Sequence, residues 1–317
     1  MIMAGFLRSV VRRVRREEEI EALQRRVVRL ERRLRELESR EHINPGNMVW
    51  IFGAGRTGST WLVRMMGDLQ GHEVWFEPWV GELFNPDRLQ MDRRRGKSFV
   101  LAPQYKKTWL RSIRNLILDA VNARFPEATV NGYLIAKEPG GSVGAPLLME
   151  ALPESRMILL VRDPRDVVAS WLDAHRRGSW AQQKKLEGER CAGLSEEKQD
   201  TFVRNTAMRY LKNVGNAKRA YEAHRGRKAL VKYEELRADT VGTLKRAYAE
   251  LGIPVDEEEL VRVVERHAWE KIPKEQKGRG KFYRKAKPGG WREDLTPEQI
   301  EIVEEITAPL LRELYPA

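Results

Sequence analysis

The sequence predicts an α/β fold of three layers, built on a four- or five-stranded parallel sheet and preceded by a coiled-coil helix at the N-terminus. Three observations lead there. From Met48 onward, short apolar runs alternate with helical patterns, as parallel strands joined by crossover helices require. The first of these runs passes straight through a glycine-rich turn into a helix. Ahead of it a heptad pattern stops at Asn44-Pro45-Gly46-Asn47, a helix-ending sequence that divides an extension, residues 1–44, from a main domain, residues 47–317.

In the extension, Ile20, Leu23, Val27, Leu30, Leu34 and Leu37 recur at alternating spacings of 3 and 4 with Arg and Glu between them. This is an a/d seam of fewer than three heptads, short for a coiled coil standing alone. It pairs with another copy or folds back on the body, and self-association is the expectation. Residues 1–19 mix Phe6, Leu7, Val10, Val11 and Val14 with Arg8, Arg12, Arg13, Arg15 and Arg16. That pattern suits a solvated helix, and it also suits weak contact with an anionic membrane surface.

In the main domain Val49–Phe52 reads as the first strand, Ser59–Leu69 as a helix and Val74–Phe76 as the second strand. A helical insertion around Lys107–Ala123 leads to a third strand, Tyr133–Ala136, and Met157–Val161 is the clearest strand of all. Asp163-Pro164 supplies an N-cap and a first-turn proline for a helix running to about His175. Leu230–Tyr233 reads as the last strand, with helices at about 240–251, 257–268 and 297–313 closing the chain.

Composition narrows the function classes. With 41% hydrophobic residues and nine Trp, the chain has material for a substantial core and is not disordered throughout. One cysteine, Cys191, cannot form an internal disulfide or a Cys-rich metal site and fits a reducing compartment. No apolar run reaches membrane-spanning length and no secretory signal is evident, so the cytoplasm is expected. The net charge is 58 − 46 = +12. Residues 1–44 hold twelve Arg and eight Glu, so the remaining +8 is spread over the main domain without a block. That argues against nucleic-acid binding and for a site holding a small, multiply anionic ligand. His72, His175 and His267 are too scattered to form a ligand set, and no metal is expected.

The candidate for that site is Gly53-Ala54-Gly55-Arg56-Thr57-Gly58-Ser59-Thr60-Trp61. Glycines let backbone N–H groups approach phosphate oxygens, and the helix start adds free donors and a partial positive charge. The spacing resembles the nucleotide-triphosphate P-loop, but Ser59 stands where the lysine belongs and the cation lies in the turn, at Arg56. The segment looks like the 5′-phosphosulfate loop of sulfotransferases that use 3′-phosphoadenosine 5′-phosphosulfate (PAPS), P-[KR]-[ST]-G-[ST]-T, with Gly55 in place of the proline. A second match follows the clearest strand: Arg162 and, eight residues on, Ser170 stand where that family grips the 3′-phosphate. A third, Arg284-Lys285-Ala286-Lys287-Pro288-Gly289-Gly290-Trp291, resembles the family's R-K-G-x-x-G-x-W stretch, with Ala286 replacing a glycine.

The resemblance covers about residues 47–315 and implies a P-loop-like fold, PAPS as donor, and no metal. It places Gly55, Arg56, Thr57, Gly58, Ser59 and Thr60 on the phosphosulfate, Arg162, Ser170, Arg284 and Lys285 on the 3′-phosphate, and Trp61 and Tyr233 near adenine. Transfer to a hydroxyl needs a base and cations on the leaving oxygen. Glu77, in Val74-Trp75-Phe76-Glu77-Pro78-Trp79, is the expected base, with its aromatic neighbours expected to desolvate it and raise its pKa; Glu73 and Glu138 are the rivals. Lys137 and Arg56 are expected on the transferring group. Pro139 occupies the histidine position of the cytosolic aryl and steroid enzymes, which favours a glutamate base.

Trp75, Trp79, Trp109 and Trp180 are candidates to stack on an acceptor, and Arg93–Arg95 with Arg176–Arg177 to meet an anionic one. A carbohydrate hydroxyl is favoured, and Gly178–Ser195 is read as a flap by the acceptor cleft or a plain surface loop. Two other classes stay open. A nucleotide kinase would need Mg²⁺ and a γ-phosphate and have no use for Arg162 and Ser170; a non-catalytic nucleotide-binding scaffold would act through its coiled coil.

Overall fold

The computed structural model describes residues 23–30, 43–85, 102–126, 132–176, 178–181 and 196–315. Contacts divide the chain into Met1–His42 and Ile43–Ala317. In the first unit residues 23–30 are helical, and the seam positions Leu23, Val27 and Leu30 are exposed. The rest of the seam and the basic segment 1–19 lie outside the described residues, as do Arg93–Arg95, Arg177, Cys191 and most of segment 178–195.

The second unit is built on five strands: β1 (Met48–Gly53), β2 (His72–Phe76), β3 (Tyr133–Lys137), β4 (Arg156–Val161) and β5 (Lys228–Lys232). They pair in the order β2-β3-β1-β4-β5, and every pairing is parallel. All six residues of β1 are buried, which is why the central strand reads as a continuous apolar run. Its alternation splits the core. Trp50 and Phe52 pack on one face with helices α3 (Lys106–Arg124), α4 (Ala145–Ala151), α6 (Glu196–Ala223) and α10 (Pro297–Leu314). Val49 and Ile51 pack on the other with α1 (Ser59–Gly67), α8 (Thr240–Leu251) and α9 (Glu257–Arg266). The remaining helices are α2 (Val80–Leu83), α5 (Pro164–Ala174) and α7 (Tyr233–Ala238). No helix among the described residues is long and apolar enough to cross a membrane.

The predicted strands and helices form close to where the pattern puts them; the short helices α2, α4 and α7 are additional, and two further differences bear on the site and the core. Tyr233 is not a strand residue; it opens α7, whose first turn carries Glu234 and Glu235, favourable charges at a helix N-terminus. The 28-residue α6 has no counterpart in the sequence reading. Its buried face is Val203, Ala207, Tyr210, Val214, Ala217 and Ala220, at helical spacing but half alanine, so the hydrophobic stripe is faint although the packing is close.

The sheet positions the site. β1 lies between β3 and β4, so strand order reverses there and a crevice opens beyond the carboxyl ends of the strands. Gly53, Glu77, Lys137, Arg162 and Tyr233 all stand at or just past such an end.

Candidate active site

The glycine-rich turn leaves β1 with the Gly53 N–H donating to Ser142 Oγ at 2.8 Å. Arg56 is left-handed at φ 70° and Gly58 at φ 90°. At Gly58 a side chain is excluded as well, since a Cβ would lie 2.6 Å from the Tyr233 ring. No side chain caps α1 at Gly58, so the helix start faces the crevice with its backbone donors. Thr57 is turned inward, its hydroxyl donating to the Ala54 carbonyl at 2.8 Å.

One cleft is lined by Arg56, Gly58, Ser59, Thr60, Trp61, Arg162, Ser170, Tyr233, Arg284 and Lys285, residues drawn from all three sequence motifs. Gly55 and Thr57 are not on its wall; Gly55 backs onto Trp171, and both shape the turn from behind. Arg56 Nε donates to Ser170 Oγ at 3.0 Å and its Nη2 to the Phe282 carbonyl at 2.7 Å. Arg162 donates to the Arg56 carbonyl at 3.1 Å and lies over the Tyr233 ring at 4.3 Å. Burial, then the neighbouring Arg162 and Arg284 charges, push the Arg56 guanidinium down to about 10. Arg162 Nε is buried without a hydrogen-bond partner. Two buried guanidiniums, Arg162 and Arg284, the half-buried Arg56 and an unused donor suit an incoming anion. Beside them Trp61 and Tyr233 meet edge to face, centroids 6.4 Å apart, and Trp61 Nε1 donates to the His267 carbonyl at 2.9 Å.

Next to this cleft, at the ends of β2 and β3, lie the acid–base candidates. Lys137 is in register with Ile51 of β1 and Phe76 of β2. It is buried, ion-paired with Glu77, and its ammonium sits 4.1 Å from the Phe76 ring centroid. Burial lowers the Lys137 pKa, with Glu77 opposing the shift. Glu77 keeps 35% of its side chain exposed, and Phe76 and Trp79 are exposed too, so the expected dry aromatic shell is open. Glu138 is different. It is fully buried, accepts from the Trp79 and Gly81 N–H groups at 2.9 and 3.0 Å, and burial pushes its carboxyl up to about 7. Both oxygens serve the backbone. Glu73 is exposed in the body of edge strand β2, four residues before Glu77 and roughly 13 Å back along it.

The stacking candidates divide similarly. Trp75, half-buried, packs against Trp50 and Phe125, and Trp109 is buried among the core residues. Trp180 packs edge to face on Phe282 beneath Arg56. Trp79 alone of the four is exposed.

A family model described as a sulfotransferase domain matches residues 143–314, more than half of the chain. The chain belongs to the sulfotransferase family. No curated protein matches it. Among solved structures, mouse sulfotransferase SULT7A1 complexed with PAP is similar with a TM-score of 0.50 at 16% identity, covering 86% of this chain and 88% of that one. Sulfotransferase STF9 from Mycobacterium avium gives a TM-score of 0.48 at 17% identity, over 84% of this chain and 76% of the other. The mouse protein shows the shared fold.

The matched span holds Arg162, Ser170, Tyr233, Arg284 and Lys285 of this sulfotransferase, while Arg56, Glu77 and Lys137 precede it. Sequence reasoning missed how the C-terminal segment of the sulfotransferase is held. Two buried carboxylates on α5 anchor it. Asp166 accepts from the Gly289 and Trp291 N–H groups at 2.8 and 3.0 Å, and Asp173 from Gly280 N–H at 2.9 Å. With Ser170 they recur at helical spacing, i, i+4 and i+7, a signal that one polar face of α5 is used. Also missed on the cleft wall were Arg237, His267, Trp269, Ile272, Phe282 and Tyr283; the aromatic run just before Arg284 was the available hint. Arg284 and Lys285 both pair with Asp294. Ala286 is left-handed at φ 48°, a conformation suited to the glycine of the family pattern.

Proposed function

We propose that this sulfotransferase binds PAPS in the arginine-lined cleft and transfers the sulfuryl group to an acceptor hydroxyl, a carbohydrate hydroxyl being favoured. The observation that carries the donor assignment is the convergence of Arg56, Arg162 and Arg284 around the N-terminus of α1, with Arg162 Nε unpartnered. The glycine turn, Arg56, Ser59 and Thr60 hold the phosphosulfate, Arg162, Ser170, Arg284 and Lys285 the 3′-phosphate, and Trp61 with Tyr233 the purine. That PAP is bound to the mouse relative of the same fold agrees with this reading.

In the transfer the acceptor oxygen forms a bond to sulfur while the bond from sulfur to the bridging oxygen of the 5′-phosphate breaks. The electron pair leaves with that oxygen, where Lys137 and Arg56 stabilise it, and the acceptor proton passes to Glu77. Acceptor entry separates Glu77 from Lys137, freeing each for its task. Exposed Trp79 and Phe76 beside Glu77 offer ring faces to the C–H face of a sugar. The test is sulfate transfer from PAPS to a panel of glycans and phenols. Transfer to glycans, lost by about 10²-fold or more in Glu77→Gln, is expected. Transfer to phenols alone would overturn the carbohydrate assignment, and full activity in Glu77→Gln the base.

The exposed Leu23, Val27 and Leu30 support pairing of the extension with a second copy. Sedimentation should give a dimer that Leu23→Glu with Leu30→Glu converts to a monomer; a wild-type monomer would contradict it.

A further inference from the structure

The base-bearing turn is strained, and something must hold it. Glu77 and Trp79, flanking Pro78, both adopt left-handed backbone conformations, at φ 49° and 58°. Such a pair of non-glycine residues persists only where surrounding contacts over-determine it. The contacts come from one place, the end of β3 and the turn after it. The Lys137 carbonyl accepts from the Glu77 N–H at 2.9 Å. The Glu138 carboxyl takes two more donors, Trp79 N–H on one oxygen and Gly81 N–H on the other. Glu138 is itself fixed, its N–H donating to the Ile51 carbonyl at 2.9 Å and its carbonyl accepting from Ser142 Oγ at 3.1 Å. Ser142 Oγ in turn accepts from Gly53 N–H, the first residue of the donor loop.

The space around this carboxyl is shaped for it. A Cβ at Gly141 would fall 1.8 Å from Glu138 Oε1, and one at Gly81 would fall 1.8 Å from the Gly141 carbonyl. The Trp79 ring lies against Gly140, where a Cβ would come within 2.5 Å of it. Bare backbone therefore lets the carboxyl reach the turn and lets the half-exposed indole approach Gly140 closely.

The geometry points to Glu138 as a positioning residue for the acceptor half of the site: its buried carboxyl sets the turn that carries Glu77 and Trp79, and so aims both the base and the ring face. The inference rests on Glu77 being the base. Glu138 takes no proton from the acceptor. It acts through Glu77, and that makes its contribution separable from a second base and from general support of the fold.

The experiment is a double-mutant cycle of Glu77→Gln with Glu138→Ala, with Glu138→Gln alongside, using PAPS and the best acceptor of the panel above. Calorimetric affinity for adenosine 3′,5′-bisphosphate is measured on every variant. Glu138→Ala should lower kcat by about 10- to 100-fold, the scale of a misplaced catalytic group, and Glu138→Gln, which keeps one acceptor oxygen, by less. Bisphosphate affinity should stay within about twofold of wild type, showing an intact donor half. The double variant should be no slower than Glu77→Gln alone. Additive losses would overturn the inference, as would unchanged kcat in Glu138→Ala. If Glu138→Ala fails to bind the bisphosphate, the same cycle with Glu138→Gln decides between these outcomes. Full turnover in Glu77→Gln would sink the base reading first, and the inference with it.

Discussion

The two halves of the crevice are built on different principles. The donor half is redundant. Arg56, Arg162, Arg284 and Lys285, the hydroxyls of Ser59, Thr60 and Ser170, and a helix start surround one cleft, and each cation is tethered to a carboxylate, hydroxyl or carbonyl. The acceptor half is lean, with one ion pair between Glu77 and Lys137 on a strained turn that a single buried carboxyl holds. A ligand carrying several fixed negative charges demands the first kind of construction. A neutral hydroxyl that must be deprotonated in one place demands the second. Single changes at Arg162, Ser170, Arg284 or Lys285 should therefore cost little in turnover, and changes on the acceptor side much.

The largest effect sharpens that contrast. Lys137→Ala should lower kcat by about 10³-fold, the scale of a lost charge stabiliser at a leaving oxygen, while bisphosphate affinity is nearly unchanged. An equal loss in affinity would erase the distinction between the halves. On the donor side, Asp166→Asn should loosen the segment held through Gly289 and Trp291 and weaken bisphosphate binding by about tenfold, with kcat at saturating PAPS retained. Calorimetry and initial rates on the same preparation separate the two.

A third effect is in stability. The Glu138 carboxyl is raised from 4.5 to about 7 by burial, so the folded protein holds its proton more tightly than the unfolded chain does. Its contribution is fully present below pH about 4.5 and is lost as pH rises through about 7. Denaturant unfolding across that window should show wild type losing stability relative to Glu138→Gln by up to a few kcal/mol. A difference independent of pH would contradict the assignment. The smallest effect is Ala286→Gly, which relieves a left-handed alanine and should stabilise the protein by about 0.5–1 kcal/mol. A loss of stability there would mean that the loop uses the methyl group.

The same contrast explains what the sequence made legible. Arg56, Gly58, Arg162 and Ser170, singled out by motif spacing, are gathered on the wall of one cleft. The apolar strands were readable because β1 is buried on both faces. Helix α6 was not, because a face of Ala207, Ala217 and Ala220 packs tightly with little hydrophobic signal. On the acceptor side Trp75 and Trp79 look alike in sequence. Only the end of the strand and the turn beyond it send one into the core and the other to the surface. The bonding of Glu138 was not legible because its two backbone donors come from a different segment.

The donor site is tested most directly by calorimetric titration with adenosine 3′,5′-bisphosphate, AMP and ADP, each with and without Mg²⁺, on wild type and Arg162→Gln. Metal-independent binding of the bisphosphate, absent for AMP and lost by about 100-fold in Arg162→Gln, is the predicted result. Binding of ADP alone, and only with Mg²⁺, would contradict it.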